Sequence, residues 1–144
     1  MKRYILSAAV VAALAAGGWL VMQPDTASEA EAATPAKGDP LVAVTLPNTL
    51  SEQAQMGKRA FDATCAACHG ANATGKMGFG PPLVHKIYEP SHHGDMAFQA
   101  AVQAGVRAHH WKFGNMPPQE GLTRGDVANI VTYVRELQRA NGIE

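Results

Sequence analysis

Three side chains in one short run carry the most specific chemistry in this sequence: Cys65 and Cys68, separated by two alanines, and His69 directly after them. C-x-x-C-H is the spacing of c-type haem attachment. Two thiols add to the two vinyl groups on one edge of a porphyrin as thioethers, and two intervening residues at a helix end set both sulfurs along that edge. The imidazole that follows then lies under the iron as a proximal ligand. The alternatives are weaker. A Cys65–Cys68 disulfide would close too small a loop to stabilise much. A thioredoxin-like redox pair wants a βαβ context, and no strand pattern of any length is present. A zinc site needs a fourth ligand.

Helical elements must position this run. Ser51 is the expected N-cap of a first helix, because its hydroxyl can accept from orphan backbone N–H groups. Met56, Ala60, Phe61 and Thr64 then recur at helical spacing up to the cysteines. Gly57 costs roughly 1 kcal/mol against Ala inside such a helix, which points to close approach of another backbone. After His69 the chain turns loop-like, through Gly70, Gly75, Gly78 and Gly80 to Pro81-Pro82. A second helix is expected over Asp95 to Ala104, with Gly105 ending it. The clearest helix is the last: Thr123 and Asp126 form a capping pair. Val127, Ile130, Val131, Val134 and Leu137 follow as one apolar stripe.

The N-terminal part is of another kind. Lys2-Arg3 is followed by 19 uncharged residues, Tyr4 to Met22, then by a small, acidic, proline-broken stretch. That order is a secretory leader's. Ser28-Glu29-Ala30 and Ala30-Glu31-Ala32 offer small residues where a signal peptidase reads. A leader's apolar region is about 7–15 residues and a spanning helix needs roughly 17–25, so a cleaved leader and a retained anchor both stay open. Either way the rest of the chain is exported. The expected division is 1–22 signal peptide or membrane anchor, 23–50 flexible linker and 51–144 folded domain.

Beyond residue 40 the chain holds nine Lys/Arg and eight Asp/Glu. A near-neutral domain without a clustered basic face is a poor partner for nucleic acid. Roughly 100 residues make a small core, and a large cofactor would supplement it.

With these residues in place, the stretch from Ser51 to Arg139 resembles the class I, mitochondrial-type c-type cytochromes with a single haem. Gly57 and Phe61 sit where that family's first helix has its glycine and aromatic, and Tyr133 where the last helix has its aromatic. The resemblance implies that the two helices cross there. It implies an all-α fold of three to five helices around one covalent haem c, here preceded by an N-terminal hydrophobic helix. Gly80-Pro81-Pro82-Leu83 looks like the family's segment beneath the proximal histidine, which gives Pro81 the role of accepting a hydrogen bond from the His69 ring. Such a partner fixes the tautomer and raises ligand basicity.

The family's distal ligand is a methionine followed by proline, in a loop before the last helix. Met116-Pro117 matches, 47 residues after His69. Pro117 biases Met116 to extended backbone. Met56 and Met96 lie on helical faces and are expected to be core filler; Met77 lies in the loop expected on the proximal side. A histidine ligand or an open sixth site are the alternatives. His85, His92, His93, His109 and His110 are many for so small a domain. His92 and His93 are expected to be surface loop residues, although imidazole–thioether sets suit copper. His109-His110-Trp111, with Arg107, stands within reach of a haem propionate edge.

The function these features imply is one-electron transfer by haem c with His69 and Met116 as axial ligands, between transient redox protein partners, in the periplasm or on the periplasmic face of the inner membrane. Residues 4–22 allow membrane association. No nucleophile–base pairing or phosphate-type glycine loop suggests a small-molecule substrate or catalysis. The competing readings are a haem enzyme or ligand sensor with a labile sixth site, and the electron-transfer subunit of a larger oxidoreductase.

Overall fold

The computed structural model describes residues 34–144; the expected hydrophobic helix over 4–22, and with it the question of leader or anchor, lies outside the described residues. Among the described residues the fold is all-α. Helices α1 (Glu52–Thr64), α2 (Ala66–His69), α3 (Asp95–Ala104) and α4 (Arg124–Ala140) are joined by loops that hold short 3-10 turns at Ala71–Ala73 and Lys86–Tyr88. Pairing of extended backbone is limited, among the described residues, to isolated bridges between Lys76 and Gly80 and between Val106 and Met116. No described helix is long and apolar enough to cross a membrane.

Both long helices start where local chemistry says they should. The Ser51 hydroxyl accepts from the Ala54 N–H at 3.1 Å and donates to Glu136 on α4 at 2.6 Å, so the cap also ties the first helix to the last. Thr123 and Asp126 form a complete capping box at the start of α4. Helix α3 covers the expected residues, from Gly94, which offers no side-chain cap, to Gly105.

The body is organised by the crossing of α1 over α4. At Gly57 a Cβ would stand 1.9 Å from the Asn129 carbonyl oxygen and 2.4 Å from its carbon. Only a residue without a side chain lets the two backbones meet this closely. One turn on, the Phe61 ring meets the edge of Tyr133 with centroids 5.6 Å apart and planes at 62°. Such a pair adds about 0.5–1.5 kcal/mol beyond its buried area. Around them Ala54, Ala73, Leu83, Val84, Ile130, Val134 and Leu137 complete the buried core. The α4 stripe is buried throughout, as its periodicity implies.

Two expectations are corrected. Met56 and Met96 do not fill the core: they are 45% and 63% exposed, because no helix among the described residues packs over their faces of α1 and α3. The lead-in over residues 41–50 is no free tether. Leu41 and Val42 donate to the Thr74 carbonyl, and Thr45 exchanges two 2.9 Å bonds with the Asn141 side chain. Gly38 and Asp39 are likewise bonded to Met77. The expected linker 23–50 therefore gives way, by Gly38, to chain held against the helical body. The C-x-x-C-H run, expected at a helix end, follows α1 directly, with Cys65 as the C-cap of α1 and Ala66–His69 as the short helix α2.

Candidate haem-binding site

The two cysteines flank one turn. Cys65 ends α1, with its N–H bonded to the Phe61 carbonyl, and Cys68 and His69 form the end of α2. Both thiols are free; Cys68 is exposed and Cys65 half-buried. Burial, and secondarily the Cys68 charge, push the Cys65 thiol up to about 11. A redox C-x-x-C pair needs a depressed thiol to generate its thiolate. The shift runs the other way.

His69 is the best-defined member. Its Nδ1 lies 2.9 Å from the Pro81 carbonyl, and that atom donates, because a carbonyl can only accept. Nε2 then carries the lone pair, on the ring edge away from Pro81. Burial lowers the imidazole's pKa, while the Pro81 bond works to raise it, so the ring is held neutral and directed as a metal ligand must be. The loop carrying Pro81 is fixed from two sides. At Gly80 a Cβ would stand 2.8 Å from the Cys68 carbonyl oxygen, so the loop lies directly on α2. Beyond it, Leu83 and Val84 donate to the Ala73 carbonyl.

Met116 sits half-buried in a second loop. Its N–H and carbonyl pair with those of Val106, each at 2.9 Å, and Gln119 donates to the Val102 carbonyl at 2.8 Å. This closes residues 106–116 into a narrow loop on the end of α3. Trp111, inside that loop, packs edge-on to His85 at 5.1 Å and so touches the segment that follows Pro81. Its indole Nε1–H is buried and makes no well-formed hydrogen bond among the described residues, although the Tyr88 hydroxyl stands near enough to feel it. A buried donor left unmade costs about 1–3 kcal/mol, and an anionic acceptor such as a propionate would satisfy it. The directed His69 ring, the paired thiols and this orphan donor together fit a haem c.

Two residues that hold the site together were not singled out from sequence. Arg135 is 7% exposed and donates to Asp95 (2.9 Å), to the carbonyls of Tyr88 and His93 and to Gln138 (2.6 Å each). Gln138, fully buried, donates to the carbonyls of Leu83 (2.8 Å) and Tyr88 (3.0 Å). Both sit beside the apolar stripe of α4, Arg135 four residues after Val131 and Gln138 four residues after Val134. Polar side chains at core positions of a helix are the signal that points to such anchors. His92, His93 and His110, from two loops, gather their ring nitrogens within 4.8 Å of one another.

A class is defined by this combination: an all-α body closed by a glycine-mediated crossing of its first and last helices, with a haem-attachment turn beside the crossing. That is the class I c-type cytochrome. The family model described as Cytochrome c matches residues 54–138, more than half of the chain, and the chain belongs to that family. A search of curated proteins finds no match. Membership carries haem c with its iron as the cofactor, a haem-based electron-transfer role, and redox proteins as partners.

Proposed function

We propose that this chain is an exported one-electron carrier, not itself an enzyme, holding a single haem through thioethers to Cys65 and Cys68, with His69 and Met116 as axial ligands. When bound, the haem supplies one reversible electron by cycling its iron between ferric and ferrous states. The observation that carries the proposal is the His69–Pro81 bond at 2.9 Å, which directs Nε2 as ligand from a turn whose thiols flank it. On the other side, the thioether of Met116 would fill the sixth position, favour the reduced state and raise the potential. With both positions taken no substrate reaches the metal. Trp111 would donate to a propionate and fix the cofactor's orientation. Partners dock transiently, as small redox interfaces do. Work outside the cytoplasm, in the periplasm or on the periplasmic face of the inner membrane, follows from the Lys2-Arg3 start and the uncharged 4–22 stretch.

Met116→Ala tests the ligand set. Haem should stay attached, because attachment needs only the two cysteines. The variant should bind carbon monoxide, fall markedly in potential and lose the far-red absorption band of iron–thioether bonding in the oxidised form. Behaviour like the parent's on all three counts assigns the sixth position to another residue.

A further inference from the structure

We infer that His92, His93 and His110 form a second metal site, separate from the haem iron, which takes one divalent transition ion of the zinc type and clips together the two loops that carry them. Their ligand nitrogens already lie within 4.8 Å of one another. The Nε2 atoms of His92 and His110 are 3.3 Å apart. Two nitrogens bound to one zinc at about 2.0–2.1 Å and at the tetrahedral angle stand about 3.3–3.4 Å apart. The closest pair thus has a tetrahedral ligand–ligand edge before any ion arrives. A square-planar ion would need the shorter separation of about 2.9 Å.

The tautomers suit the role. His93 Nδ1 lies 2.7 Å from the Ile87 carbonyl and must donate to it, which leaves Nε2 as the lone-pair atom. A backbone carbonyl on the far nitrogen is the usual support of a ligating imidazole. His92 and His110 share a single Nε2···Nε2 contact that one proton can bridge, and a metal ion would take that proton's place. The rings pack closely: His92 stacks on His93 with centroids 4.7 Å apart and planes at 28°, and His110 meets His93 edge-on at 5.3 Å and 71°. His109 packs on His110 at 4.3 Å with its own Nδ1 turned to the Arg107 carbonyl, and so backs the cluster from behind. An all-imidazole set selects zinc, copper or nickel over magnesium and calcium. His92 and His110 are exposed, so the ion has open access and a water can complete its shell.

The ligands come from separate loops. His92 and His93 lie between the Lys86–Tyr88 turn and α3, whereas His110 lies in the loop closed by the Val106–Met116 pairing. A bound ion therefore cross-links the Met116 loop to the segment that Arg135 and Gln138 hold on α4. This follows whether or not Met116 ligates iron.

The test uses the full-length holoprotein, stripped of loosely held metal with a chelator and dialysed against zinc chloride. One zinc per chain should bind, with nitrogen-only protein ligation in its X-ray absorption spectrum, and magnesium should not compete. Loss of a support to a ligand weakens a metal site about 10–100-fold, so removing a ligand outright should cost at least as much in His92→Ala and in His110→Ala. Both rings are exposed and lie on different loops, and each variant's melt without metal should match the parent's. Amide exchange in residues 106–116 should slow with zinc in the parent and not in His110→Ala. The inference is overturned if the parent binds no zinc, if both variants bind it as the parent does, or if zinc leaves the loop's exchange unchanged.

Discussion

Placing a methyl group at Gly57 sets two effects of known size against each other. On an isolated helix Gly→Ala gains roughly 0.8–1 kcal/mol. In this protein the new Cβ would stand 1.9 Å from the Asn129 carbonyl oxygen, 2.4 Å from its carbon and 2.9 Å from the Ile130 nitrogen. All three are backbone atoms of α4, so no rotamer change relieves the contact. Restoring an ordinary separation of about 3.5 Å means moving the helices apart by roughly 1.5 Å. The same crossing buries Ala54, Phe61, Ile130, Tyr133 and Val134, none more than 3% exposed. A gap of about 0.5–1 Å already forfeits a quarter to a half of each contact's dispersion energy. Overpacking of this kind costs about 1–3 kcal/mol and occasionally more, and a backbone-on-backbone clash belongs at the upper end. Net of the helix gain, we expect Gly57→Ala to lose about 2 kcal/mol or more. For a domain of this size that lowers the melting temperature by roughly 10 °C. Gly125→Ala is the internal control, because its Cβ would meet only the Thr123 hydroxyl oxygen, at 3.6 Å. It should stabilise, by up to about 1 kcal/mol. Thermal and guanidinium unfolding of the holoprotein, followed by far-ultraviolet circular dichroism, measures both. If the two substitutions shift stability in the same direction, the crossing is not where α1 and α4 are held.

Two further perturbations probe the anchors of α4. Gln138→Leu keeps the volume but leaves the Leu83 carbonyl without its donor and Arg135 without one acceptor; denaturant unfolding should show a loss of about 1–3 kcal/mol, and no loss would mean water replaces the amide. Thr123→Ala removes the cap of α4 and should cost about 1 kcal/mol in the same assay. The Thr123 hydroxyl, followed by its backbone N–H, holds the Asp126 carboxyl below its usual range. A depressed carboxylate contributes stability above its ordinary pKa and loses it as pH falls through the folded value. The difference between parent and Asp126→Asn should therefore be full near neutrality and close in acid, and a gap unchanged at low pH would reject the capping box as its source.

What could be seen in the sequence was local. Ser51, Thr123 with Asp126 and the α4 stripe each act within a few residues of themselves, and each stands in the structure where its chemistry puts it; the C-x-x-C-H run was equally legible as a local motif. Gly57 was legible for a related reason: a glycine inside a helical pattern is costly enough to need a partner backbone, though which backbone came from a family resemblance. What escaped depends on partners far along the chain. Thr45 and Asn141 are 96 residues apart, so nothing near Leu41–Leu50 announces that it is pinned. Arg135 reaches back 40 to 47 residues to Asp95, His93 and Tyr88. Periodicity places Met56 and Met96 on helices but cannot say that their faces stay uncovered. The gathering of His92, His93 and His110 was missed likewise, because two loops of unrelated sequence meet only once α3 and α4 have packed.

The two loops that flank the candidate ligands are held by opposite strategies, and this bears on how such a carrier works. A one-electron carrier transfers fastest when its ligands keep the same positions in both oxidation states, so the protein must hold them before the electron arrives. On the His69 side the holding is deep. Gly80 lies on α2, Leu83 and Val84 are bonded to Ala73, and Gln138 takes the Leu83 carbonyl from inside the core. On the Met116 side it is shallower: the paired bonds with Val106, one bond from Gln119 to Val102, one within the loop from Ala108 to the Asn115 side chain, and the Met116 carbonyl seated against Gly105. The methionine is half-buried between two exposed neighbours, with no bond, among the described residues, from this loop to a buried side chain of the core. Loops with few buried contacts open at lower free energy than core elements. Under the proposed ligation the Met116 bond is thus the one that fluctuations release first, and His69 stays. The imidazole cluster spans the gap between the weakly held loop and the strongly held one, which is where a bound ion would change that balance most.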